Sequence, residues 1–202
     1  FLMLAIGGRV IPLFTGRKLS GLHIAERKRV DIAVNLGALL LIFMDIAGIS
    51  PAVRGAASVA LAALVLWRLQ GWRSWVCRRE PMLWVLHLGY LWLALGLILR
   101  GLGLLNVLHL PEVETLHGIT VGALGTLSIG MMTRVAQGHS GVDIRANRWL
   151  MAAFLLPSVA AALRIAGGPA LWPLAAGLWA LAFALYLAAI GPLLLRGHAR
   201  SA

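Results

Sequence analysis

Apolar residues fall in long blocks along this chain, and short polar stretches divide them. Neither the two-residue alternation of a half-buried strand nor the one-sided stripe of a surface helix accounts for blocks of that length. A helix rising about 1.5 Å per residue needs about 20 apolar residues to cross a bilayer core. Six blocks meet or approach that length: residues 30–49, 53–69, 82–99, 116–135, 149–165 and 171–195. Residues 1–14 read as the end of a truncated helix closed by Gly7, Gly8 and Pro12, and residues 15–29 as a polar connection. The pattern predicts an all-α fold, a polytopic transmembrane helical bundle of about six complete helices plus the end of a truncated one. All of it forms one transmembrane domain over residues 1–202. Pro157 lies inside a block and predicts a kink, while Pro51, Pro81, Pro111, Pro169 and Pro192 punctuate helix ends. Residues 101–115, with His109, Glu112 and Glu114, form the longest external connection and could act as a small lid.

The most unusual block is the one over residues 115–141, TLHGITVGALGTLSIGMMTRVAQGHSG, with a histidine near each end. Gly118, Gly122 and Gly125 step along one narrow helical stripe, which suits the close approach of a neighbouring backbone or a flat ligand. Arg134, Gln137 and His139 then crowd one end, costly polarity beside hydrocarbon.

Composition fixes the class. With 60% hydrophobic and 12% charged residues and a mean hydropathy of +0.88, the chain reads as an integral membrane protein. The net charge of +11 does not argue for nucleic acid, because the basic residues cluster between apolar blocks. Cytoplasmic loops retain Lys and Arg, so these clusters set an orientation. With residues 15–29 inside, fifteen basic residues are cytoplasmic, and only Arg54, Arg100 and Arg164 face out. The C-terminus is then cytoplasmic, and Trp67, Trp72, Trp75, Trp84 and Trp149 gather near the inner interface. Cys77 is the only cysteine, which excludes an internal disulfide and a multi-cysteine metal cluster. No nucleotide loop, zincin motif or serine hydrolase elbow is present, so no enzyme class is announced and catalytic residues stay unassigned. The start inside an apolar run, with no initiator methionine, reads as the remainder of a longer protein.

Among candidate groups, His87 lies about one and a half turns inside its block, where the ordinary alternative to a ligand is a hydrogen-bonded structural histidine. His117 and His139, twenty-two residues apart on one helix, cannot share one metal, so two sites, or one site and a polar relay, follow. His23 and His198 fall in inner loops with structural or surface roles. Arg134 either pairs with an anionic group or marks the membrane boundary; Met131 and Met132 read as packing, with thioether ligation of copper(I) as the alternative; and Asp45 pairs with Arg54 across a tight turn, with a proton route as the alternative.

Three stretches, residues 6–15 (IGGRVIPLFT), 86–97 (LHLGYLWLALGL) and 117–141, resemble the NnrS family of bacterial membrane proteins, and the last carries most of the specificity. The resemblance implies haem and copper as cofactors and a role in nitric oxide metabolism and nitrosative stress, in the bacterial inner membrane. It implies His87, His117 and His139 as metal ligands, with Arg134, Gly118, Gly122 and Gly125 at the cofactor. The expected partners are the lipid bilayer, the missing N-terminal half of the same protein and a small diatomic or redox ligand, with no nucleic acid. The alternatives are a transporter of a small solute or metal complex, and a non-catalytic membrane sensor.

Overall fold

The computed structural model describes residues 1–19, 24 and 27–199, with side chains through Leu195, and contains no strand among them. The sequence-level expectations for His23, Glu26, Arg200 and the side chains of Arg196 and His198 fall outside the described residues. The helices are α1 (Leu2–Lys18), α2 (Lys28–Ile46), α3 (Pro51–Gln70), α4 (Pro81–Leu104), α5 (Glu112–His117), α6 (Leu124–His139), α7 (Arg148–Ala166) and α8 (Gly168–Ala199). A 3-10 turn, Ser74–Arg79, precedes α4. A π-helical stretch, Gly118–Ala123, joins α5 and α6 into one rod over Glu112–His139.

Local chemistry sets several ends. Pro51 and Pro81 open α3 and α4 at positions where a missing N–H costs nothing. Asn147 caps α7 by accepting from the Leu150 backbone N–H. Gly48, between α2 and α3, takes φ +64°, which a side chain would strain.

Among the described residues, five helices are long and apolar enough to cross a membrane: α3, α4, the rod Glu112–His139, α7, and α8 through Leu195. The sixth expected span, over 30–49, is helical as α2, but Lys28, Arg29, Asp31 and Asp45 shorten its apolar run. Residues 1–14 depart further from expectation, because α1 runs through Gly7, Gly8 and Pro12 to Lys18. The glycines mark contacts there, not a terminus: the space beside Gly7 is filled by Tyr90 and that beside Gly8 by the Arg68 guanidinium. Pro192, expected at an end, lies inside α8.

Pairs of contacts give the topology. Asp31 meets Arg68 and Asp45 meets Arg54, so α2 and α3 are antiparallel. Gly96 meets Gly118, Trp92 meets Gly122 and Gly89 meets Leu127, so α4 and the central rod are antiparallel as well. In consequence α1, α3 and α6 finish at one end of the bundle, where α2, α4 and α7 begin; Lys18, Arg68, Arg134 and Arg148 make this the basic end. Helix α4 is the hub: it packs against α1, α3, the 3-10 turn, α5, the π stretch, α6 and α7. Its Val85, Leu86, Tyr90 and Ala94 are fully enclosed. Helix α8 leans on α6 and α7 and leaves most of its apolar surface exposed.

Candidate functional site

At the basic end, a cavity of about 470 Å³ opens between α1, the start of α4, the end of α6 and the connection to α7. Arg17, Lys18, Arg134 and Arg145 line it, against Glu80 and Asp143. Lys18 pairs with Glu80 (3.6 Å) and Arg145 with Asp143 (2.7 Å). Arg134 is different. It is buried to 8% exposure, its guanidinium stacks on the Phe14 ring at 4.2 Å, and its Nε has no acceptor. No carboxylate among the described residues reaches salt-bridge distance of it. Gln137 shapes the rim, donating to the Arg145 carbonyl (2.8 Å) and accepting from its N–H (3.0 Å). His139 sits exposed at the last residue of α6.

His87 lies in the same half of the bundle, wholly enclosed by protein. Its Nε2 is 3.0 Å from Thr15 Oγ1 and 3.5 Å from Cys77 Sγ, and its Nδ1 is 2.8 Å from Ser74 Oγ. Thr15 spends its own proton on the Ile11 carbonyl, and Cys77 donates toward the Arg73 carbonyl. Nε2–H therefore donates to Thr15 and Cys77, and Nδ1 accepts from Ser74, whose hydroxyl lies nearer to it (2.8 Å) than to the Leu69 carbonyl (3.4 Å). Both ring nitrogens are used in tying α1 and the 3-10 turn to α4. Beside it, Arg68 donates to Asp31 (2.6 Å), to the Leu4 carbonyl (3.0 Å) and to the Tyr90 hydroxyl (3.0 Å). By its place at the end of block 53–69, Arg68 counts among the fifteen cytoplasmic basic residues; in the fold it is buried in the core, which nothing at that position of the sequence signals.

At the opposite end, Asp45 pairs with Arg54 (3.1 Å) as expected, but Arg100 joins at 2.5 Å and also reaches Glu112 (3.3 Å). His117 faces α7, where Arg164 Nε donates to its Nε2 (3.1 Å). An arginine N–H only donates, so the imidazole proton sits on Nδ1, which is buried and has no partner. The glycine stripe is filled by protein. A Cβ on Gly118 would stand 2.9 Å from the Gly96 Cα, one on Gly122 2.6 Å from the Trp92 ring, and one on Gly125 2.8 Å from Trp179 Nε1. The three expected histidines are thus kept apart, in a core network, at an exposed helix end and against α7. Among the described residues no three His, Cys, Asp or Glu side chains gather in metal-binding geometry.

The sequence model of a family described as NnrS protein matches residues 1–197. The chain belongs to the NnrS family. No curated protein and no solved structure matches it. For an NnrS-family membrane protein, the two groups left unsatisfied at the ends of the central rod, Arg134 and His117, are the informative ones. A metal at His87 would have to displace Thr15, Cys77 or Ser74, and one at His117 would have to displace Arg164 or take the proton from Nδ1.

Proposed function

We propose that this NnrS-family protein is a haem- and copper-bearing membrane protein acting in nitric oxide metabolism and the response to nitrosative stress. Its basic end faces the bacterial cytoplasm. The family match supports the role, and one structural observation supports the haem: Arg134, buried and unpaired over a cavity of about 470 Å³. A guanidinium in that state suits a carboxylate such as a haem propionate, which would remove the cost of an uncompensated buried charge. Arg17 at the rim adds a second cation. Haem, when bound, supplies an iron centre able to take a diatomic ligand or pass an electron. The residues of this chain contribute a cationic anchor for that carboxylate, beside the apolar side chains of Phe14, Met82 and Leu83. The family implies His87, His117 and His139 as ligands; of these, His139 alone is exposed. A copper site is not assembled by the described side chains as they stand, and no step is assigned to it.

Metal analysis and a reduced-minus-oxidised spectrum of the purified protein test the reading, with Arg134→Gln and Arg134→Lys beside the parent. Losing a charge-assisted hydrogen bond should weaken haem retention about ten- to a hundred-fold in Arg134→Gln, with Arg134→Lys intermediate and helical content unchanged. Haem bound equally well by a folded Arg134→Gln variant refutes the anchor. A protein with no haem band that carries solute flux refutes the haem reading altogether.

A further inference from the structure

Another cavity lies at the opposite end of the rod, lined by His117, the π stretch, α7 and α8, with a volume of about 440 Å³. Every polar side chain lining it is a donor. Arg164 Nε donates to His117 Nε2, and the rest of the guanidinium stacks on the Trp172 ring at 3.9 Å. His117 Nδ1–H, Trp172 Nε1–H and Trp179 Nε1–H are all buried with no acceptor. Among the described residues, no carboxylate, amide or hydroxyl lines the cavity to receive them.

Three unmet N–H groups and one cation around a single cavity are not what membrane anchoring asks of tryptophan. An anchoring indole keeps its N–H at the wet headgroup level. Trp172 stands one turn into α8, but Trp179 lies two turns deeper, about 10 Å further along the axis, against Gly125 of the central rod. Each buried donor without an acceptor bears its full desolvation penalty, and an acceptor entering the cavity removes that penalty for each donor it reaches. A neutral acceptor would leave Arg164 uncompensated, so charge selects an anion. The backbone agrees: the π stretch begins directly after His117, a distortion that recurs at functional sites. The local contacts show its effect, with His117 toward Arg164 of α7 while Gly118 and Gly122 meet α4.

We infer that this cavity is a binding site for an anionic, oxygen-bearing group, held by Arg164 with the N–H groups of His117, Trp172 and Trp179. The group is a phosphate or carboxylate, either on a free small anion or on a lipid headgroup, since Arg164 stands two residues from the end of α7. His117 serves this site as a donor. The site shares no residue with the Arg134 cavity.

Indole N–H resonances of the purified full chain, assigned with Trp172→Phe and Trp179→Phe, read the site directly, because an N–H that gains an anionic acceptor moves downfield. Sodium acetate and inorganic phosphate are titrated in a non-ionic maltoside. Nanodiscs of phosphatidylglycerol are compared with nanodiscs of phosphatidylcholine. Saturable downfield shifts with acetate or phosphate identify a free anion. Shifts only in phosphatidylglycerol identify a headgroup. In either case Arg164→Gln should weaken binding about ten-fold or more, as loss of a charged hydrogen bond does, and Arg164→Lys should retain most of it. If Arg164→Gln does not fold, Trp172→Phe supplies the same comparison through the Trp179 signal. Absence of a shift in all four conditions, or shifts unaltered in folded Arg164→Gln or Trp172→Phe protein, overturns the inference.

Discussion

Replacing Gly118 by alanine tests what holds the central rod against α4. The new Cβ would stand 2.9 Å from the Gly96 Cα and 3.3 Å from its N, both backbone atoms. No rotamer change relieves such a clash, so the two helices must separate. Separation also loosens the contacts in register with it, Trp92 on Gly122 and Leu127 on Gly89. Overpacking of this kind costs about 1–3 kcal/mol. In a membrane the loss of close approach matters more, because lipid supplies no hydrophobic drive for helices to reassociate. Against it stands the better helix propensity of alanine, worth up to about 1 kcal/mol in water. Gly177 in α8 is the internal control, since a Cβ there meets nothing within 4 Å. Gly177→Ala should be neutral or slightly stabilising, and Gly118→Ala about 1–2 kcal/mol less stable than the parent. Reversible unfolding in mixed micelles of maltoside and SDS, followed by circular dichroism, measures both. Equal stability of the two variants would refute the claim that the glycine stripe serves helix contact.

Orientation and the His87 network give two more tests. In a Cys77→Ser background, a cysteine at Ser140, beyond the basic end of α6, should resist an impermeant maleimide in intact cells and react after permeabilisation; reaction in intact cells would invert the proposed topology. Cys77 itself is buried, and burial pushes its thiol up from the ordinary value. Its thiolate, the reactive form, should therefore be scarce at pH 8, and the native protein should be alkylated by iodoacetamide far more slowly than the SDS-unfolded chain. His87→Phe should remove the tie to Thr15 and Ser74, costing about 1–3 kcal/mol and speeding alkylation of Cys77. Unchanged alkylation in the folded variant would sink the idea that His87 closes that site.

Block length and polarity carried the fold class, because membrane insertion is decided by the free energy of a whole segment and composition reports it directly. The central rod was legible for that reason, while the ends at Pro51 and Pro81, the Asp45–Arg54 pair and the family resemblance rest on residues close together in the chain, which need no tertiary information. The end of α1 was not, since Gly7, Gly8 and Pro12 break helices by local propensity while packing of Tyr90 and Arg68 overrides it. The glycine stripe was readable as a place of close approach, but which partner fills it depends on α4 crossing in a register that brings Gly96 opposite Gly118. The histidines show the same division. Their spacing in the chain separated His117 from His139, yet only the packed structure shows that His87 spends both nitrogens on Thr15, Cys77 and Ser74. In the sequence Arg164 counts only as one of three outward-facing basic residues, and Trp172 and Trp179 are two more apolar positions of a long block. They become a donor-lined cavity only when α7 and α8 fold back against the rod, because hydrogen-bond satisfaction belongs to neighbours in space and has no signature along the sequence.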